Sequence, residues 1–256
     1  MYQLKSYLKF LTKASNQHGV HSPFVYNFVT KCLYDTTTYE AYSTLKAYKK
    51  ALKNSDTLLQ VTDLGEGSKV LNTQHRQVRN MVRVSSSSKK EARLLYRLSK
   101  YFNFKNSLEL GTSLGMGTYA LSLANSEAQI TTIEGCPNTS AFACAQLKQK
   151  NVTNVAFIIG DFNTIIPNLK DTHFDFIYFD GHHNKTATIH YFEALVSKTH
   201  NDSVFVFDDI YWSQGMMEAW EYIKAHDAVT VTVDTFHLGF VFFRKEQKKE
   251  HFKIRL

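Results

Sequence analysis

From Ser107 onward, short apolar runs alternate with helical stretches, and this alternation constrains the fold more than any other feature of the chain. The runs cover residues 107–111, 129–135, 155–161, 174–181, 203–210, 228–236 and 238–245. They are nearly continuous in β-branched and aromatic residues, which suits strands buried on both faces in a parallel sheet. Helical stretches at 118–126, 139–149, 163–169, 186–199 and 214–226 separate the first six runs. The last two runs are one residue apart, too close for a crossover helix, so they should pair as an antiparallel hairpin. The expectation is a doubly wound α/β domain whose last strand is reversed.

The first run ends in Glu109-Leu-Gly-Thr-Ser-Leu-Gly-Met-Gly117, and a helix should follow from Thr118. Glycines between a strand and a helix permit a tight turn and let backbone N–H groups approach a ligand at the helix N-terminus. The spacing is not G-x-G-x-x-G, which makes NAD the weaker match. An acid just before the first glycine, two positions upstream, would repel a pyrophosphate but suits a cationic amino group, such as that of S-adenosylmethionine (SAM). The second run ends in Glu134, placed to accept both ribose hydroxyls of an adenosine.

Residues 107–245 resemble class I SAM-dependent methyltransferases, most closely the catechol O-methyltransferase-like branch. The likeness rests on Leu108–Gly115, Thr132-Ile-Glu134, residues 159–167, Phe174-Asp-Phe-Ile-Tyr-Phe-Asp180-Gly-His-His183 and Phe207-Asp-Asp209. It implies a Rossmann-like seven-stranded sheet with a reversed last strand. It also implies that Glu109, Gly111, Ser113 and Gly115 line the methionine part of SAM. Glu134 falls at the ribose, and Asp161 and Phe162 at the adenine, the lesser alternative for Asp161 being a cap for its loop. Residues 18–24 (His-Gly-Val-His-Ser-Pro-Phe) and 63–68 are similar to an uncharacterised group of bacterial methyltransferases.

Three carboxylates, Asp180, Asp208 and Asp209, end the fourth and fifth runs. Such ends share one crevice in an open α/β sheet, and three hard oxygen donors suit Mg²⁺. The related branch binds a divalent metal there, often with Asn at the third position. Without a metal they read as strand-end caps. The branch's catalytic lysine sits three residues after the first acid, where this chain has His183. A histidine can take a hydroxyl proton at neutral pH, and His182 is the alternative. The change from lysine puts catechol itself in question as acceptor. Tyr211 and Trp212 either wall an acceptor ring or pack the next helix; His18 and His21 either reach the pocket or cap helices.

Residues 1–106 read as mostly helical, with helices at 1–13, 23–33, 39–52, 73–83 and 89–102, and Ser85–Ser88 as a linker or cap. They are expected to form a cap on the acceptor side of a SAM-binding domain at 107–256. This portion holds 18 Lys and Arg against 6 Asp and Glu, whereas the remainder holds 12 against 17. The basic excess raises RNA as a substrate, but no RNA-binding signature accompanies it, and a solvated basic face is the plainer reading. A small-molecule acceptor is therefore expected, with a catalytically silent SAM-binding module as a further alternative. No apolar run reaches the roughly 20 residues of a membrane span. The start lacks the apolar core and cleavage site of a signal peptide. With three cysteines and no zinc spacing, a cytoplasmic setting is expected.

Overall fold

A computed structural model of the chain describes residues 2–62, 74–84, 88–169 and 173–256, and divides into two compact units. One unit comprises Met1–Tyr34 with Asn163–Leu256, and the other Asp35–Phe162. These units do not follow the division at residue 106 drawn from charge and helical pattern. The first 34 residues group with the C-terminal strands, and the helices after them group with the glycine segment. The 63–68 motif, residue 73 and residues 85–87 lie outside the described residues.

The N-terminal arm holds α1 (Tyr2–Lys13) and α2 (Pro23–Phe28), and α2 runs on into a π-helical turn, Val29–Leu33. Ser22 caps α2 by accepting the Val25 N–H, with Pro23 at the first helical position where its missing donor costs nothing.

The contiguous unit begins with α3 (Ala41–Lys53), followed by a short antiparallel pair, β1 (Leu58–Gln60) and β2 (His75–Gln77), which the hydrophobic pattern does not foreshadow. Then come α4 (Val78–Val84) and α5 (Lys89–Phe102). Ser88 and Glu91 form a reciprocal capping box at the start of α5, so the cap reading of that residue holds. Strands β3 (Asn106–Leu110), β4 (Gln129–Glu134) and β5 (Val155–Ile159) are parallel in that order, joined by α6 (Met116–Ala124) and α7 (Pro137–Lys148). Tyr48 of α3 is fully buried, stands edge-on to Tyr119 and donates its hydroxyl to the Leu114 carbonyl at 2.7 Å. A buried phenol needs such an acceptor, and this one ties α3 to the glycine loop.

In the other unit, α8 (Phe162–Ile165) leads to β6 (Phe176–Phe179), α9 (Lys185–Val196), β7 (Val204–Phe207), α10 (Gln214–Ala225), β8 (Val231–Asp234), β9 (Gly239–Phe242) and β10 (Glu250–Lys253). Strands β6 and β7 are parallel, and β9 runs antiparallel to both β7 and β8. The expected reversed hairpin is therefore present. The seven-strand expectation needs correction, because β10 adds an eighth strand parallel to β8 at the edge. Its sequence, Glu250-His-Phe-Lys253, is too short and too polar to read as a strand.

The N-terminal arm packs on these last strands. Ser15 bridges Ile254, Phe28 stands edge-on to Phe240 and Phe242, and Tyr34 donates to the Arg255 carbonyl. Aromatic residues fill the core because a sheet covered on both faces has room for large rings but few polar groups. Trp220 of α10 lies against Gly239, whose missing side chain leaves it space: a Cβ there would come within 2.7 Å of the indole. Gly239→Ala should destabilise this unit by about 1–3 kcal/mol through overpacking, measured as a lower urea midpoint with unchanged slope.

Candidate active site

Each unit carries a cluster of predicted site residues, and each is built by strand ends. In the contiguous unit, β3 delivers Glu109 and then the loop from Gly111 to Gly115. Gly111 (φ 106°) and Gly115 (φ 74°) adopt the left-handed region, and Gly115 is the N-cap of α6. Ser113 is also left-handed at φ 46°, a strained conformation for a residue with a side chain. Its N–H donates to Glu134 Oε2 at 2.9 Å, while the Cys136 N–H donates to Oε1 at 2.9 Å. Glu134 is therefore held at the end of β4 with both oxygens oriented by backbone donors. Carboxylate oxygens carry two lone pairs each, which makes such a side chain a suitable acceptor for a diol.

Glu109 sits deeper than its expected role implies. It is 1 % exposed, and its Oε2 accepts hydroxyl protons from Thr118 of α6 and from Thr132 of β4. Thr132 in turn lies 2.6 Å from the Thr112 hydroxyl. A Cβ on Gly117 would collide with Glu109 Oε1, so this glycine is required by the buried carboxylate. Burial pushes the Glu109 carboxyl up to about 7, against the two hydroxyl bonds that pull it down; Glu134 adds a smaller upward push. The group is an internal strut beneath the loop. Asp161 follows β5 and Phe162, buried, opens α8; the Gly160 N–H donates to the Glu134 carbonyl, drawing this segment to the end of β4.

In the other unit, the parallel register pairs Phe179 with Phe207, and the Asp208 N–H donates to the Phe179 carbonyl. Asp180 and Asp208 thus leave neighbouring strand ends side by side. Asp208 Oδ1 accepts the N–H of Asp209, which is left-handed at φ 53°. His183 Nε2 lies 3.7 Å from Asp180 Oδ1. Burial lowers the pKa of His183 against the opposing pull of Asp209, with a further lowering from His182, so its imidazole is neutral at pH 7. His182 is committed elsewhere: it is left-handed at φ 50° and its Nδ1 shares a hydrogen bond with the Tyr191 hydroxyl at 2.9 Å.

The three carboxylates fit a hard divalent cation in donor chemistry and in strand-end placement. Among the described residues, however, no group of three or more His, Cys, Asp and Glu stands as a metal cluster. Tyr211 is buried and stacks on Phe236 at 4.8 Å, which supports its packing role, while Trp212 is 39 % exposed. His18 and His21 are exposed. Motif and spacing do not single out Asp234 and Lys253, which bond to Tyr211. Asp234 ends β8 as the other acids end their strands, and that position was its available signal.

Residues 108–210 match a family described as a methyltransferase domain. Among curated proteins, none matches the chain by sequence. A methyltransferase from Podospora anserina, PaMTH1, solved with S-adenosylhomocysteine (SAH), is similar at TM-score 0.62 and 12% identity, over 88% of this chain and 97% of that one. The O-methyltransferase TomG from Streptomyces achromogenes, solved with SAM, is similar at TM-score 0.58 and 18% identity, over 81% and 91%. An O-methyltransferase from Bacillus cereus, in complex with SAH, gives 0.56 and 16% over 81% and 92%. The expected resemblance to methyltransferases and the Rossmann-like α/β fold are both borne out. None of these likenesses supports RNA methylation or a silent module. No helix among the described residues is long and apolar enough to cross a membrane.

The raised carboxyl of Glu109 carries a pH signature. Its folded pKa lies above the unfolded one, so its contribution to stability is full below about 4.5 and is lost as pH rises through about 7. Replacing it by Gln should flatten this loss, on the order of 3 kcal/mol at most. Melting curves from pH 5 to 8 should converge at the acid end and separate in favour of Glu109→Gln at the alkaline end.

Proposed function

We propose that the chain transfers a methyl group from SAM to an oxygen of a small-molecule acceptor. The observation that carries this reading is the glycine loop pinned to Glu134, with Ser113 held in the left-handed region by the Glu134 carboxylate. A loop ordered in this way meets a ligand without further loss of conformational freedom. Gly111, Ser113 and Gly115 would line the methionine portion, Glu134 would bind the ribose hydroxyls, and Asp161 and Phe162 would meet the adenine. Glu109 would act from beneath the loop rather than on the ligand.

On the acceptor side, the neutral His183 would take the hydroxyl proton. The oxygen then bonds to the methyl carbon as the carbon–sulfur bond breaks, leaving SAH with a neutral thioether. The sulfonium is already an activated leaving group, so alignment of oxygen, carbon and sulfur supplies most of the acceleration. Asp180 next to His183 would stabilise the imidazolium that forms. Asp180, Asp208 and Asp209 would also hold a divalent cation such as Mg²⁺, supported by three hard donors on adjacent strand ends. Such an ion, when bound, lowers the pKa of an acceptor hydroxyl and orients it. A cytoplasmic setting suits a chain whose three cysteines fit neither a disulfide framework nor a zinc motif by their spacing.

Glu134→Ala should weaken SAH binding at least ten-fold in calorimetry, since about 1.5–3 kcal/mol attaches to each hydrogen bond with a charged group. Unchanged affinity would remove the cofactor assignment. His183→Ala should lower kcat about 100-fold on a responsive phenolic acceptor while leaving SAH affinity intact. EDTA should suppress turnover and Mg²⁺ restore it. Turnover that survives both EDTA and Asp208→Ala would retire the cation and leave the rest of the reading in place.

A further inference from the structure

The eighth strand brings Lys253 against two buried groups that the proposed reaction does not use. Lys253 Nζ donates to Asp234 Oδ2 at 2.7 Å and to the Tyr211 hydroxyl oxygen at 2.5 Å. Tyr211 donates its own proton to the same Asp234 oxygen at 2.7 Å. The other oxygen, Asp234 Oδ1, accepts the Phe236 N–H at 2.9 Å. Asp234 and Tyr211 are buried, while Lys253 keeps a quarter of its side chain in water. One carboxylate therefore grips the turn after β7, the turn after β8 and strand β10 together.

Both turns are strained. Phe236 is left-handed at φ 74°, an outlier for a bulky side chain, and it persists only where its surroundings over-determine it. Those surroundings are the Asp234 bond, the stacked Tyr211 ring (4.8 Å, 11°) and the edge of Tyr7 at 4.8 Å. Across from it, the left-handed Asp209 precedes Tyr211 by two residues, and the Ile210 N–H reaches the His237 carbonyl. A buried ion pair contributes little net stability, but removing one partner leaves the other charge uncompensated. Such a network fixes a geometry, and the geometry fixed here is that of the turn carrying Asp208 and Asp209.

We propose that Lys253, Asp234 and Tyr211 form a brace that locks the 208–212 turn, and that they are positioning residues for its two carboxylates. The brace follows from the hydrogen bonds alone, whereas its effect on turnover rests on the acceptor-side reading of those acids. The test uses the full chain carrying Lys253→Met or, as the milder change that keeps the ring stack, Tyr211→Phe. Amide hydrogen exchange needs no acceptor and reads the brace directly. Exchange at residues 208–213 and 235–238 should rise ten-fold or more, with β3, β4 and β5 at wild-type rates and SAH affinity within two-fold. With the responsive phenolic acceptor of the His183→Ala assay as probe, kcat/KM should fall at least ten-fold. Unchanged exchange at 208–213 in both variants, or an equal rise along the whole chain, would overturn the brace. A local rise with unaltered turnover of that acceptor would uphold the brace and overturn the acceptor-side reading of the acids.

Discussion

A carboxylate withdrawn from water sets the terms for the contiguous unit. Glu109 is buried beneath the start of α6, and such a group is tolerated only when hydrogen bonds replace its hydration. Thr118 supplies one from the helix and Thr132 another from β4, so a single side chain joins β3, β4 and α6 where they converge. The arrangement leaves no room for a side chain at position 117. The glycine-rich segment thus serves two needs: left-handed backbone at Gly111 and Gly115, and clearance for an internal acid at Gly117. Glu134 stands at the neighbouring strand end and pins Ser113. Two glutamates 25 positions apart therefore divide the labour, one as strut and one as clasp.

The second unit solves a related problem with backbone register. Parallel pairing of β6 with β7 brings Asp180 and Asp208 to the same level through the main chain alone. Beyond that level the two chain paths diverge. After β6, His182 takes a left-handed turn, bonds to Tyr191 and leaves His183 near Asp180. After β7, Asp209 takes the left-handed turn and its N–H closes on Asp208. Non-glycine residues at positive φ are uncommon, and the one at each of these strand ends marks where local comfort is given up for side-chain placement.

The parts of this structure legible in the sequence are those governed by period and spacing. The strand–helix alternation, the reversed hairpin and the acids at strand ends follow from hydrophobic pattern and the one-residue gap at Phe236–Leu238. Depth was not legible. Glu109 reads as a ligand-facing acid because it precedes a glycine loop, and only packing reveals that it points at Thr118 and Thr132. Strand β10 is hidden because Glu250-His-Phe-Lys253 has the composition of a solvated tail, and its pairing with β8 is a tertiary choice. The grouping of residues 1–34 is hidden for the same reason. Phe24 and Phe28 are ordinary helix residues until Phe240 and Phe242 give them a surface to meet.

That last grouping has a consequence in time. The unit made of Met1–Tyr34 and Asn163–Leu256 is discontinuous, and its first part is synthesised more than two hundred residues before Ile254, which Ser15 joins. The intervening unit is contiguous and can close as it leaves the ribosome. The N-terminal arm packs late: Phe10 meets Phe236 and Phe28 meets Phe240 and Phe242, all more than two hundred residues further along the chain. Closure of this unit is therefore a late event, because it waits for strands that follow the arm by more than two hundred residues.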